Sequence, residues 1–123
     1  MPTRPALPVH MVERLRTTLD MLPETYEEEA WTGVRWRVRQ ATIVHLFGGE
    51  DQRFRIVFRG EADEVIAFEH MGEPYFRAGW GQNVIGVVLD DDTNWEEVTE
   101  LMVASYCLVA PAKLSAQVSV HGS

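Results

Sequence analysis

The chain has 123 residues, 46% of them hydrophobic and 24% charged. These are the proportions of one globular domain and exclude a disordered, collagenous or disulfide-stapled chain. Nineteen acidic against eleven Lys and Arg side chains give a formal net charge of −8, which repels a polyanion at long range and counts against non-specific nucleic-acid binding. Cys107 is the one cysteine, so no intrachain disulfide forms and a reducing compartment fits. Met1 to Pro8 has no apolar core of a signal peptide, and no apolar run approaches the ~18 residues of a membrane span; the expected location is the cytoplasm, with no membrane partner.

Pro2, Pro5 and Pro8 predict an extended, mobile arm over residues 1–8. Met11, Leu15, Leu19 and Leu22 then follow helical spacing and predict an amphipathic helix from Val9 to Leu22, with Pro8 in its first turn and Pro23 ending it. Glu24 to Trp31, with Glu27, Glu28 and Glu29 in a row, reads as a short helical turn with a solvated acidic face. After Gly33 the period becomes alternating. Val34–Arg39, Ala41–Phe47 and Arg53–Arg59 are predicted strands, the last two joined by Gly48-Gly49-Glu50-Asp51. Ala62–Met71 is helical, with Gly72 beyond its end. Tyr75–Trp80 and Asn83–Leu89 are two more strands. Asp90-Asp91-Asp92 is a loop, and Thr93 with Glu96 forms the spacing of a capping box. The helix it opens carries Trp95, Val98, Leu101, Met102 and Ser105 on one face and stops at Pro111. The expected fold is α+β: one domain over residues 9–114 and a tail over 115–123. Its architecture is a two-layer sandwich, an antiparallel sheet of about five strands with helices on one face.

Side chains alternate across a strand. Arg35, Arg37 and Arg39 therefore project to one side and Val34, Trp36 and Val38 to the other. Arg53, Arg55 and Arg59 share a side with Val57, opposite Phe54, Ile56 and Phe58. Burying each large apolar side chain contributes about 1.5–3 kcal/mol, so the rings turn toward the helices and the arginines turn outward. Six guanidiniums would then share the open face, with Arg77 extending the patch and Trp80 or Tyr75 adding a stacking ring. Arginine grips phosphate through two parallel hydrogen bonds, and cations interleaved with an aromatic suit single-stranded nucleic acid. The competing reading is an ordinary polar sheet face whose arginine stems cover apolar surface. A homo-oligomer interface is the third. Guanidinium–carboxylate distances decide: pairs within about 4 Å throughout would mean a self-neutralised surface.

The other candidates are weaker. His70 and Glu73 are three apart, but a surface histidine accounts for them. His45, with Ile43 and Phe47 on the same predicted face, reads as a core or edge histidine. Cys107 reads as a small buried hydrophobe. Asp90-Asp91-Asp92 places negative charge ahead of a helix N-terminus, where the dipole favours it. Gly79-Trp80-Gly81 lacks phosphate-loop spacing, and no nucleophile motif or zinc spacing is present. The expectation is a non-enzymatic binding domain with no catalytic residue, metal or cofactor.

Several segments carry a resemblance. They are Leu22-Pro23-Glu24-Thr25, Trp36-Arg37-Val38, Gly72-Glu73-Pro74-Tyr75-Phe76, Gly79-Trp80 with the apolar strand to Leu89, Ser105-Tyr106 with Leu108-Val109, and Lys113-Leu114. In this order, from about Val9 to Leu114, the chain resembles the MmcQ/YjbR family of small bacterial proteins. The resemblance implies a CyaY-like α/β sandwich and a DNA-binding domain of double-wing type, and it adds Lys113 to the contact residues. Family members typically carry Gly-Lys in the turn after the W-R-V strand; Arg39-Gln40-Ala41 stands there instead. Ser105 and Tyr106 also match and are expected to fix the packing of the last helix. The expected function is thus a cytoplasmic DNA-binding domain acting through its arginine face. The alternative is a protein–protein interaction module, a homodimer or a partner-binding domain.

Overall fold

The structure is a computed structural model and describes the backbone of residues 6–79 and 81–122, with side chains through residue 118. Residues 1–5 of the predicted arm and Trp80 lie outside the described residues. The elements run α1 (Val9–Leu19), β1 (Thr25–Glu29), β2 (Val34–Val38), β3 (Ala41–Gly48), β4 (Phe54–Arg59), α2 (Ala62–Met71), β5 (Tyr75–Arg77), β6 (Val84–Leu89), α3 (Trp95–Val109) and α4 (Ala112–Gly122). The six strands form one antiparallel sheet in the order β1-β2-β3-β4-β6-β5. α3 lies across β3 and β4, α1 and α4 pack on α3, and α2 packs on β5 and β6. No helix among the described residues is long and apolar enough to cross a membrane.

The inward rows of the strands meet the helices as the alternation dictates. Trp36, Val38, Leu46, Ile56, Phe58, Ile85, Val87 and Leu89 pack with Met11, Leu15 and Leu19 of α1 and with Val98, Met102 and Tyr106 of α3. The expected architecture holds, with two additions. Residues 25–29 form an edge strand and no helical turn, because each inner glutamate finds a partner that offsets the low strand propensity of its type. Glu27 faces the helices and takes a bidentate grip from Arg16 of α1, at 2.7 and 2.8 Å; Glu28 faces outward. Charged side chains on an edge also discourage pairing with another chain. Residues 115–122, expected as a tail, continue α4. Pro111 both closes α3 and opens α4, its carbonyl accepting from the amides of Leu114 and Ser115, and Leu114 is buried against the core.

Smaller departures have local causes. α1 ends at Leu19 and not Leu22, with the Asp20 amide bonded to the Arg16 carbonyl. The cap of α3 is Asn94, whose side chain accepts from the Glu97 amide, while the Thr93 hydroxyl accepts from the Asp90 amide and closes the acidic loop. α2 has a capping box of its own, built from Glu61 and Glu64. Cys107 is half-buried. The turn between β2 and β3 is tight, and Arg39 takes φ 56° there, the left-handed conformation that a glycine adopts without strain.

One irregularity decides how β3 sits. Trp36 pairs with Val44 and Arg37 with Thr42, so Ile43 is an extra residue, a bulge. Ile43 and Val44 are both fully buried, and Ile43 does not share a face with His45 and Phe47 as simple alternation predicts. Ser105 of α3 reaches this bulge. Its hydroxyl donates to the Ile43 carbonyl at 2.7 Å and accepts from the Arg59 amide at 3.0 Å, fastening α3 to β3 and β4 together. Tyr106 beside it donates to the Pro23 carbonyl at 2.7 Å. Ser105→Ala leaves a buried amide and a buried carbonyl unpaired, a cost of about 1–3 kcal/mol. Urea denaturation should show a lowered midpoint with an unchanged slope; an unchanged midpoint would contradict this role.

Candidate functional site

The face of the sheet turned away from the helices is the candidate site. From β1 to β5 it presents Tyr26 and Glu28, Arg35 and Arg37, Thr42, His45 and Phe47, then Arg55, Val57 and Arg59, then Val84, Gly86 and Val88, and last Phe76. The cross-strand pairs Tyr26–Arg37, Glu28–Arg35, Arg35–His45, His45–Val57, Arg55–Phe47, Arg59–Val84 and Phe76–Gly86 fix this arrangement. Its centre is apolar. Phe47, Val57, Ala78 and Val84 form a second, smaller cluster with Phe76, whose ring lies where a Cβ on Gly86 would stand. The His45 and Phe47 ring centroids are 5.2 Å apart.

Four of the predicted contact residues come together here: Arg35, Arg37, Arg55 and Arg59. The others do not. Arg39 sits in the turn and reaches Glu24 at 2.7 Å; no strand pleat places it on the face. Arg53 precedes β4, pairs with Glu73 at 3.1 Å and lines a cleft against the start of α3. Arg77 pairs across the sheet with the inward-facing Ile85, so its side chain belongs to the helix layer, where Glu69 of α2 lies 3.7 Å away. Tyr75 is likewise inward and stacks on Phe68, with centroids 4.6 Å apart. Lys113 is in the first turn of α4, where its charge acts on Glu24. His70 donates from Nδ1 to the Ile66 carbonyl, and no group of three metal-ligating side chains occurs among the described residues.

Most of the arginines are already matched. Arg55 holds Asp51 through both carboxylate oxygens, which depresses the Asp51 carboxyl well below its ordinary range. Arg35 bonds Glu28, and Arg37 lies 3.5 Å from the same carboxylate and donates to the Gln40 carbonyl; Arg35 first and Arg37 second hold the Glu28 carboxyl below its usual value. Arg59 differs. Its Nη1 donates to the Gln82 carbonyl at 2.8 Å, and no carboxylate of the described residues lies within 4 Å of it. The face therefore sets four guanidiniums against two carboxylates, an excess of two positive charges on a chain of net −8.

That excess borders a shallow cavity of about 260 Å³ lined by Ala30, Arg35, Thr42, His45, Val57 and Arg59 among others. The β1–β2 turn closes one side. The Ala30 amide donates to the Gly33 carbonyl, and His45 Nε2–H donates to the Thr32 carbonyl. Between them Trp31 is 101% exposed. The sequence alone places the tryptophans mostly in the core; Trp31 departs from this, because an aromatic in the tip of a hairpin turn has no sheet face on which to bury itself. Nor does the residue pattern single out the apolar centre, because Phe76 and Val84 lie in segments that it marks only as strands.

The family model for YjbR matches residues 20–108, which take in the whole sheet, α2 and nearly all of α3. The chain belongs to the YjbR family. Among solved structures it is similar to Deinococcus radiodurans protein DR2400, a DUF419 domain, at 18% identity and a TM-score of 0.68 over 89% of this chain and 80% of that one; the likeness concerns the fold. A search of curated proteins finds no match.

Burial holds the His45 imidazole below its ordinary pKa, with the Arg35 charge in the same direction and the Thr32 carbonyl opposing both. The unfolded chain thus takes up a proton near pH 6.5 that the folded chain refuses until lower pH. By linkage the stability this site confers is full above that value and falls as pH drops through it. Urea midpoints between about pH 7.5 and 5.5 should fall more steeply for the wild type than for His45→Gln; equal slopes would contradict the assignment.

Proposed function

We propose that this YjbR-family protein is a non-enzymatic binding domain that holds a nucleic-acid strand on the outer face of its sheet, with Arg59 and the Arg35–Arg37 pair as phosphate contacts. The observation that carries this reading is the excess of two positive charges gathered on one face of an otherwise acidic molecule. Each guanidinium can take a phosphate in bidentate geometry.

The charge arithmetic limits how such binding behaves. Two contacts on a single strand give a slope of log K against log salt of about −1.4, and on duplex about −1.8. Fluorescence anisotropy across a salt series should return a slope of this size for the wild type. Arg59→Gln should lower the affinity and flatten the slope by about 0.7 on a single strand. No binding at tens of micromolar protein in about 50 mM salt contradicts the reading, since salt screening is weak there.

A second reading is favoured by the matching of Arg35, Arg37 and Arg55 with carboxylates. A surface so largely neutralised, with Tyr26 and Trp31 exposed beside it, has the Trp, Tyr and Arg composition of protein–protein hot spots. Light scattering on a sized sample tests its homodimer form: a concentration-dependent dimer abolished by Trp31→Ala supports it, and a strict monomer removes it.

A further inference from the structure

Two features of the β1–β2 turn meet the arginine face at one point. Ala30 lines the cavity, and the Thr32 carbonyl is bonded to the His45 ring that lines it too. Trp31, between these two pinned residues, carries a wholly solvated indole. An indole dominates the energetics of whatever surface it can bury against; one left in water on a turn whose preceding residue lines a charged cavity is available to a planar partner. Arg59 and Arg35 supply the cationic walls, and Val57 and Val84 supply apolar surface between them.

We propose that this corner holds one nucleotide of an unpaired strand, its base stacked on Trp31 and its phosphate between Arg35 and Arg59. The inference rests on the reading of this face as a nucleic-acid surface and narrows it to single strands. A duplex keeps its bases stacked on each other and offers none to an indole, whereas an unpaired strand splays its bases onto aromatic side chains. Two excess charges also match one or two phosphates, far fewer than the roughly 6–10 contacts of proteins that track a duplex. An acidic peptide would satisfy the same charges, but the solvated indole favours a ligand that brings a planar ring together with its anion.

The test is fluorescence anisotropy with an end-labelled oligothymidylate and an abasic strand of equal length, which has the same phosphates and no bases. Trp31 touches no core residue, so its variants fold, and a thermal melt checks this. The wild type should bind the strand with bases about tenfold more tightly, the worth of one stacked base. Trp31→Ala should abolish that preference and Trp31→Phe should keep most of it, while Arg59→Gln weakens both strands alike. Equal binding of the two strands, unchanged by Trp31→Ala but weakened by Arg59→Gln, would overturn the inference and leave the anion-holding face standing. Binding of neither strand would overturn both, and capture of a polyglutamate peptide more tightly than either strand would transfer the face to a protein partner.

Discussion

The packing of Trp36, Ile56 and Phe58 beneath α1 and α3 is the constraint to which the rest of the molecule answers. Residues two apart on a pleated strand share a face, so once these rings are committed inward, Arg35, Arg37, Arg55 and Arg59 have no choice but the outer side. The same rule sends Arg77 the other way, because its cross-strand neighbour Ile85 is a core residue. Ser105 completes the frame. One buried hydroxyl takes up both the carbonyl freed by the Ile43 bulge and the amide of Arg59, so the strand carrying the unmatched guanidinium is tied directly to the central helix.

Charge on the outer face is a small difference between larger numbers. A chain of net −8 has carboxylates to spare, and it uses them locally: Asp51 for Arg55, Glu28 for Arg35 and Arg37, Glu24 for Arg39, Glu73 for Arg53. These pairs are partly or largely exposed and add little stability each. Their consequence is electrostatic. They cancel most of a field that counting arginines would suggest and leave it concentrated beside one cavity, where Arg59 has only a carbonyl and Glu28 serves two cations. The apolar centre formed by Phe47, Val57 and Val84 then gives that residual field a low-dielectric border, against which it is less screened.

The periodic segments were readable from the residues alone. α2 and the apolar strand β6 lie where their spacing places them, and the inward and outward rows of β2 and β4 follow from alternation. What escaped was set by contacts distant in sequence. The glutamates of β1 disfavour a strand until Arg16 and Arg35 arrive from other elements. The carbonyl at the Ile43 bulge is held by Ser105, sixty-two residues away. Arg39, Arg53 and Arg77 carry the right chemistry, yet a turn, a strand end and the opposite pleat remove them from the face. Trp31 has no periodicity to announce it, since a turn tip imposes none.

The central claim is that the pleat and the local carboxylates together leave Arg59 without a carboxylate and Arg35 and Arg37 sharing one, so that this corner of the face takes an anion and Arg16, Arg39, Arg53 and Arg77 do not. Arginine Nε–Hε resonances followed by NMR during titration with a short single-stranded oligonucleotide test this most directly. The account expects the signals of Arg59 and Arg35 to move together and saturate, with those of Arg16, Arg39, Arg53 and Arg77 still. Shifts centred on that second group, or spread evenly over all of them, would contradict it.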